Sequence, residues 1–106
     1  MIDLEEAVME IIVNSGQSRS LCFEALQAAR QGSIEEAQKL LKDSDTFARQ
    51  AHKMQTKLIE QDAGEAKQPM TLIMVHAQDH LMTSMLAREL SAEIIHLYQR
   101  QPLIVN

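Results

Sequence analysis

The chain has 106 residues and a formal net charge of −5, and 45% of its residues are hydrophobic. This length suits one domain with a modest core and is too short for two, so residues 1–106 are predicted to form a single domain. The acidic balance, without any Lys/Arg cluster, excludes nucleic-acid binding through counterion release. There is no signal peptide and no run near the ~20 apolar residues that span a bilayer. We therefore expect a soluble, cytoplasmic protein without membrane insertion.

Composition and spacing predict an all-α chain. Its apolar residues are mostly Leu, Ile, Ala and Met, with two Phe, one Tyr and no Trp, and this selection favours helices over strands. Apolar residues recur every three to four positions over residues 3–31, which predicts a first helix that ends at Gly32. Ser33 and Glu36 have the spacing of a capping box, so a second helix is predicted over residues 34–61 with Ser33 as its N-cap.

A loop and a third helix complete the predicted fold. Residues 62–69 contain glycine, proline and charged residues without apolar periodicity, so they are predicted to form a loop. The third helix is predicted over residues 70–100, before Pro102, and an apolar tail with no assigned role follows at residues 103–106. Three long helices with two short connections predict an antiparallel three-helix bundle. The one cysteine, Cys22, has apolar neighbours, which predicts a buried side chain and excludes an internal disulfide.

Helix three carries two apolar faces, and Asp79 lies in the middle of one of them. On a wheel of 100° per residue, four leucines fall within about 20° of Asp79, and one valine and one methionine lie just to one side of it. These residues are Leu72, Val75, Met82, Leu86, Leu90 and Leu97. The second apolar face contains Met70, Met74, Ala77, Leu81, Met85 and Ile95. A three-helix bundle buries one face, so the face around Asp79 is predicted to be buried between copies of this helix in a homo-oligomer.

A carboxylate buried in such a contact needs compensation. Symmetry would bring one Asp79 from each subunit to a common axis, where the carboxylates must be protonated or bridged by a cation. Oxygen ligands favour a hard ion such as Mg²⁺ or Ca²⁺. The alternative for Asp79 is a solvated acid at the edge of a core helix.

Two histidines lie on the same side of helix three as Asp79, because positions i, i+3 and i+4 share a face. His76 and His80 can therefore be satisfied structural side chains, or zinc ligands with Asp79 in a site that lacks a fourth ligand. A third interpretation makes His76 a nucleophile toward phosphate, with His80, Thr83 and Gln78 donating hydrogen bonds to the phosphoryl oxygens. No glycine-rich phosphate loop is present, so the phosphoryl donor would be a protein.

Two other histidines, His52 and His96, stand alone on their helix faces. A structural role is expected for both.

Residues 75–90 read Val-His-Ala-Gln-Asp-His-Leu-Met-Thr-Ser-Met-Leu-Ala-Arg-Glu-Leu. They resemble the A component, enzyme IIA, of the lactose/cellobiose class of the bacterial sugar phosphotransferase system. The resemblance extends over nearly the whole chain, including Asn-Ser-Gly-Gln-Ser-Arg-Ser at residues 14–20 and Leu-Ile-Glu-Gln-Asp-Ala-Gly-Glu at residues 58–65. Ala77 and residues 58–65 are more similar to the cellobiose/chitobiose branch than to the lactose branch.

The resemblance implies a role for each residue of the motif. It implies that His76 accepts a phosphoryl group on Nε2 from the phosphocarrier protein HPr and passes it to a cysteine of the IIB component, during uptake of a β-linked disaccharide. It also implies that Asp79 binds one divalent cation, expected to be Mg²⁺, shared by the three subunits of a homotrimer of three-helix bundles. His80 and Gln78 are expected near the phosphoryl group.

Two other functions are compatible with a helical histidine. A histidine phosphotransfer module of two-component signalling also presents one, although those modules are usually four-helix bundles and lack the Asp79 contact. A purely structural helical trimer held by a metal ion is the other alternative, and in that case replacing His76 would leave every function intact.

Overall fold

A computed structural model describes residues 3–101 of the chain, and within this range the fold consists of three long helices. Helix α1 spans Leu4–Arg30, α2 spans Ile34–Ala63 and α3 spans Leu72–Arg100. The predicted all-α three-helix architecture is confirmed. The prediction that α3 ends before Pro102 agrees with its last residue, while Pro102 itself and the apolar tail at 103–106 lie outside the described residues.

The three helices run up, down and up, as predicted. At one end of the bundle, Ile11 of α1 packs in a cluster with Leu58 of α2 and Met74 of α3. At the other end, Ala29 of α1 packs with Ala37 and Ile95. Helices α1 and α3 are therefore parallel to each other and antiparallel to α2, in a rod that measures 62 × 20 × 16 Å.

Small residues fill much of the centre of this rod. Alanine supplies three of the nine buried residues in the first core cluster and four of the five in the second. Five serines are also buried: Ser15, Ser18, Ser44, Ser84 and Ser91. Cys22 is fully buried, and its Sγ lies 3.5 Å from the Ser44 hydroxyl, so the prediction of a buried thiol is confirmed. Small side chains let the helix backbones approach each other closely, and this brings residues of α1 near the motif on α3.

The turn between α1 and α2 explains why the predicted capping box was wrong. Gly32 has a φ of +88°, and its N–H donates to the Ala29 carbonyl while the N–H of Ser33 donates to Ala28. This pair of bonds is a Schellman motif, which ends α1. Ser33 is the N-cap of α2, as predicted, and its carbonyl accepts the Ala37 N–H at 3.0 Å. Its N–H is used by the C-terminal motif of α1, and with ψ of 71° its side chain makes no capping hydrogen bond, so the predicted capping box does not form.

The second connection begins and ends two residues later than predicted, at residues 64–71 instead of 62–69. Helix α2 continues to Ala63, and α3 begins at Leu72 after Thr71, whose hydroxyl accepts a hydrogen bond from the Met74 N–H. The Asp62 carboxylate accepts the N–H of Gln68 at 2.8 Å, which ties the loop back to α2.

Helix α3 presents the two apolar faces that its periodicity predicts. One face packs into the bundle through Met74, Ala77, Leu81 and Ile95, which are all buried. The other face stays exposed, and its large members are Leu72, Val75, Met82, Leu86, Leu90, Ile94 and Leu97. Between residues 3 and 101, no helix is long and apolar enough to cross a membrane.

Candidate functional site

His76 and His80 form a stacked pair on the surface of α3. Their ring centroids are 5.7 Å apart and the ring planes differ by 7°. The spacing of four residues places one ring above the other on the helix. His76 is exposed, whereas His80 is partly buried, so His76 offers a reachable imidazole whose ring is supported on one side by His80.

His80 sits where α1 passes alongside α3. A methyl group added at Gly16 of α1 would lie 3.4 Å from Nε2 of His80. One turn further along α3, the Ser84 hydroxyl contacts the backbone carbonyls of Ser15, at 3.0 Å, and His80, at 2.7 Å. The serine therefore joins the backbones of α1 and α3 beside His80, and the absence of a side chain at Gly16 leaves room for the His80 ring.

The surroundings of His80 keep its imidazole neutral. Partial burial lowers the pKa of His80 from its ordinary value, the positive charges of His76 and Arg19 lower it further, and the Asp79 carboxylate opposes them. A neutral imidazole at neutral pH carries one N–H donor and one acceptor nitrogen. His80 can therefore donate to an anion bound beside His76 without carrying a charge of its own.

Asp79 lies in the centre of the exposed apolar face of α3. Its side chain is exposed, and none of the ion pairs found among residues 3–101 involves it. Within the same range, no group of three His, Cys, Asp or Glu side chains can hold a metal ion. The zinc interpretation with His76 and His80 is therefore not supported, because the two rings stack on each other and do not converge with Asp79 on a point.

Gln78 occupies the opposite side of α3 from His76, about 160° away around the helix axis. Its Oε1 accepts a 2.7 Å hydrogen bond from Gln55 of α2, and its Nε2 lies 3.4 Å from the Met74 sulfur. One chain alone does not bring Gln78 to His76. The Thr83 hydroxyl donates to the Asp79 backbone carbonyl at 2.9 Å. It therefore binds its own helix backbone and not the imidazole of His76.

The remaining histidines stand apart from this site. His96 lies 20 residues after His76 on the same helix, roughly 30 Å along its axis, and it is exposed. His52 is exposed on α2. Neither takes part in the ring stacking seen between His76 and His80.

Two residues of α1 border the histidine pair and were not among the predicted site residues. A β-carbon added at Gly16 would lie 3.4 Å from Nε2 of His80, and Arg19, one turn later, places its guanidinium 5.7 Å from the centroid of the Phe23 ring. The periodicity of apolar residues could not identify them, because it describes each helix separately and does not show which residues of α1 pack beside α3. The available signal was the run at residues 14–20, which is polar and rich in small residues in the middle of an otherwise amphipathic helix.

Known proteins resemble this chain over almost its whole length. Residues 6–99 match the family "PTS system, Lactose/Cellobiose specific IIA subunit". The N,N'-diacetylchitobiose-specific EIIA component of Escherichia coli (strain K12) is 54% identical over 98 residues, which covers 92% of this chain and 84% of that protein.

Solved structures agree with this match. The cellobiose-specific enzyme IIA of Bacillus anthracis superposes with a TM-score of 0.88 at 39% identity, over 94% of this chain and 93% of that one. The chitobiose IIA of the Escherichia coli phosphotransferase system, solved in complex with HPr, gives a TM-score of 0.81 at 52% identity, over 94% and 97%. The chain therefore belongs to the lactose/cellobiose-specific IIA subunit family of the PTS, the sugar phosphotransferase system, whose members are phosphotransferases.

Proposed function

We propose that this protein is the phosphoryl-relay subunit of a sugar phosphotransferase system, acting in the cytoplasm. It accepts a phosphoryl group from phospho-HPr on Nε2 of His76 and passes it to a cysteine of a IIB component. The observation that carries the proposal is the exposed His76 imidazole, supported by the His80 ring at 5.7 Å, in a chain of the IIA family. A relative of 52% identity is known in complex with HPr, which supports HPr as the donor.

The relay consists of two transfers, and each needs a nucleophile on the acceptor and a good leaving group on the donor. The lone pair of His76 Nε2 forms a bond to phosphorus as the phosphorus–nitrogen bond of phospho-HPr breaks, and the donor ring keeps that electron pair. The proton on Nδ1 of His76 stays in place. In the next step a cysteine thiolate forms a sulfur–phosphorus bond while Nε2 takes back its electron pair, so the protein mainly positions the reacting atoms.

His80 and Gln78 are proposed to orient the phosphoryl group. His80 lies in the same chain as His76 and offers a neutral N–H donor. Gln78 faces away from His76 in its own chain, so it reaches the group only from a neighbouring subunit. A threefold contact along α3 would set the Gln78 side of one helix against the His76 side of the next.

The assembly proposed for this protein is a homotrimer joined along the exposed apolar face of α3. Leu72 and Leu97, near the two ends of that face, are 86% and 60% exposed in the monomer, and soluble monomers rarely leave so long an apolar stripe uncovered. The Asp79 side chain is exposed at the centre of this face and takes part in neither of the ion pairs found within residues 3–101.

Asp79 fits a divalent cation only through such an assembly. Three carboxylates with two oxygens each could supply the roughly six oxygen ligands that a hard ion takes, which favours Mg²⁺. When bound, the ion would neutralise carboxylates that otherwise repel each other across the axis. We propose one divalent cation per trimer, held by Asp79 alone.

The sugar is proposed to be a β-linked disaccharide of the chitobiose or cellobiose type. This follows from the high identity with a chitobiose-specific relative and from the cellobiose-specific structural neighbour. The IIA component need not touch the sugar, so the assignment depends on the partner components.

Phosphorylation by the purified general components tests the proposed relay. The protein is incubated with phosphoenolpyruvate, enzyme I and HPr, and intact mass and acid lability are measured beside a His76→Gln control. We expect one acid-labile phosphate per chain, absent from the control and lost when the IIB component is added. If phosphate appears only with a sensor kinase as donor, a two-component phosphotransfer module is the better account. If no donor adds phosphate, a structural trimer is the better account.

A further inference from the structure

Gln55 of α2 is a buried polar side chain that contacts two residues of α3. It is 9% exposed, and its Nε2 donates to Oε1 of Gln78 at 2.7 Å. The same nitrogen lies 3.9 Å from the sulfur of Met82. A buried amide that loses its hydrogen-bond partner costs free energy, so this short bond between helices holds both amides in place. Gln55 therefore fixes the side chain of Gln78.

Two methionine sulfurs determine which way these amides are turned. A thioether sulfur accepts hydrogen bonds and cannot donate them. Nε2 of Gln55 faces the Met82 sulfur, and Nε2 of Gln78 lies 3.4 Å from the Met74 sulfur. Turning either amide over would place an oxygen against a sulfur with no hydrogen between them. The hydrogen bond therefore runs from Gln55 to Gln78, and Gln78 keeps its NH₂ group as a donor.

This direction leaves Gln78 with a donor at the surface of the bundle. Its NH₂ group has two hydrogens, and the Met74 sulfur is the one acceptor found for them among residues 3–101. The half-buried side chain lines a groove of about 210 Å³ between α2 and α3, together with Leu58 and Met70. A group that enters this groove therefore meets an N–H of Gln78, because Gln55 already occupies the amide oxygen.

We propose that Gln55 is a positioning residue of the phosphoryl site, which keeps the NH₂ group of Gln78 available to the phosphoryl oxygens by occupying its Oε1. The proposal rests on the proposed function, in which Gln78 of a neighbouring subunit orients the phosphoryl group on His76. A carbonyl oxygen turned outward at this position would repel the negatively charged phosphoryl oxygens. The other role for Gln55 is to hold α2 against α3 and nothing more.

Variants of Gln55 with a side chain of similar length separate these two roles. In Gln55→Glu the new carboxylate, ionised at alkaline pH, only accepts hydrogen bonds, so it takes the NH₂ group of Gln78 and turns the amide oxygen toward the groove. Gln55→Met removes the hydrogen bond without reversing it. Gln50→Glu adds the same charge at an exposed position of α2 and is the matched control. Each variant is also combined with Gln78→Ala, because side chains that act together have non-additive effects.

The rate of phosphorylation by phospho-HPr is measured, and the side-chain amide resonances of Gln78 are recorded by ¹H–¹⁵N NMR. We expect Gln55→Glu to slow phosphorylation about tenfold, the effect of one lost hydrogen bond to a charged group. Gln78→Ala should lose as much, and the double variant should lose no more than either single one. Gln55→Met should lose less, Gln50→Glu should match the wild type, and Gln55→Glu should shift the Gln78 amide resonances.

A wild-type rate in Gln55→Glu or in Gln78→Ala would overturn the proposal. A loss from Gln55→Glu that persists in full beside Gln78→Ala would also overturn it, since the new charge would then act without Gln78. Unchanged Gln78 amide resonances, with a lower free energy of unfolding in urea, would leave Gln55 as a contact between helices only. Failure of the relay itself would appear differently, as wild-type protein that takes no phosphate or a His76→Gln variant that takes as much.

Discussion

Gly16 and His80 meet where α1 passes beside the stacked histidines, and the fit at this point can be tested by size. A β-carbon at Gly16 would lie 3.4 Å from Nε2 of His80, which is an ordinary van der Waals separation. A single methyl group therefore fits, while a branched side chain would push His80 away and disturb the ring that supports His76.

We predict that Gly16→Ala is tolerated and that Gly16→Val is not. Alanine should raise the free energy of unfolding by about 0.5–1 kcal/mol, the usual gain over glycine inside a helix. Valine should slow phosphorylation of His76 and alter the His76 and His80 ring resonances. Urea unfolding at one fixed protomer concentration measures the first effect, and the phosphorylation rate measures the second. Equal activity of the two variants would mean that His80 does not need its present position.

The two apolar faces of helix α3 could be predicted from the sequence, because the spacing of its apolar residues defines both of them. The pattern distinguished the buried face from the exposed one around Asp79. Contacts between helices could not be predicted in this way. The pairing of Gln78 with Gln55, and of Gly16 with His80, joins residues distant in sequence, and only the packing reveals it. The side-chain hydrogen bond missing from the N-cap Ser33 has a similar cause, since the end of α1 determines the backbone of this residue.

The exposed face of α3 leads to a prediction about Asp79. In a threefold contact the carboxylates repel each other unless a cation is bound, and an apolar residue suits the same position without one. Asp79→Leu should therefore keep the trimer and lose the divalent cation. Sedimentation equilibrium at micromolar concentration and metal analysis of the purified protein measure the two outcomes. Dissociation of this variant into monomers would contradict the proposed contact.

Leu86→Lys is the contrasting variant, because it places a charge in the same face with no partner. We expect it to dissociate the trimer. Ile59→Lys on α2 is the matched control, since Ile59 is 58% exposed and Leu86 is 54% exposed in the monomer. It should leave the oligomer unchanged.

The whole molecule is a thin rod, 62 Å long and no more than 20 Å across, with a core made largely of alanines and serines. A core of small side chains buries little apolar surface per residue, so a chain of this size gains from self-association. The same assembly would give Asp79 its cation and would bring Gln78 to His76. The proposed phosphoryl site and the proposed cation site therefore both depend on the same contact between α3 helices of neighbouring subunits.

In the proposed relay, His76 and no other histidine carries the phosphoryl group, on Nε2. It is tested most directly by long-range ¹H–¹⁵N NMR of the assembled protein before and after phosphorylation by phospho-HPr. We expect only the His76 ring to show the nitrogen shifts of phosphorylation, on Nε2, while His52 and His96 do not change and His80 stays unphosphorylated. Phosphate on His80, His52 or His96, or on Nδ1 of His76, would contradict it.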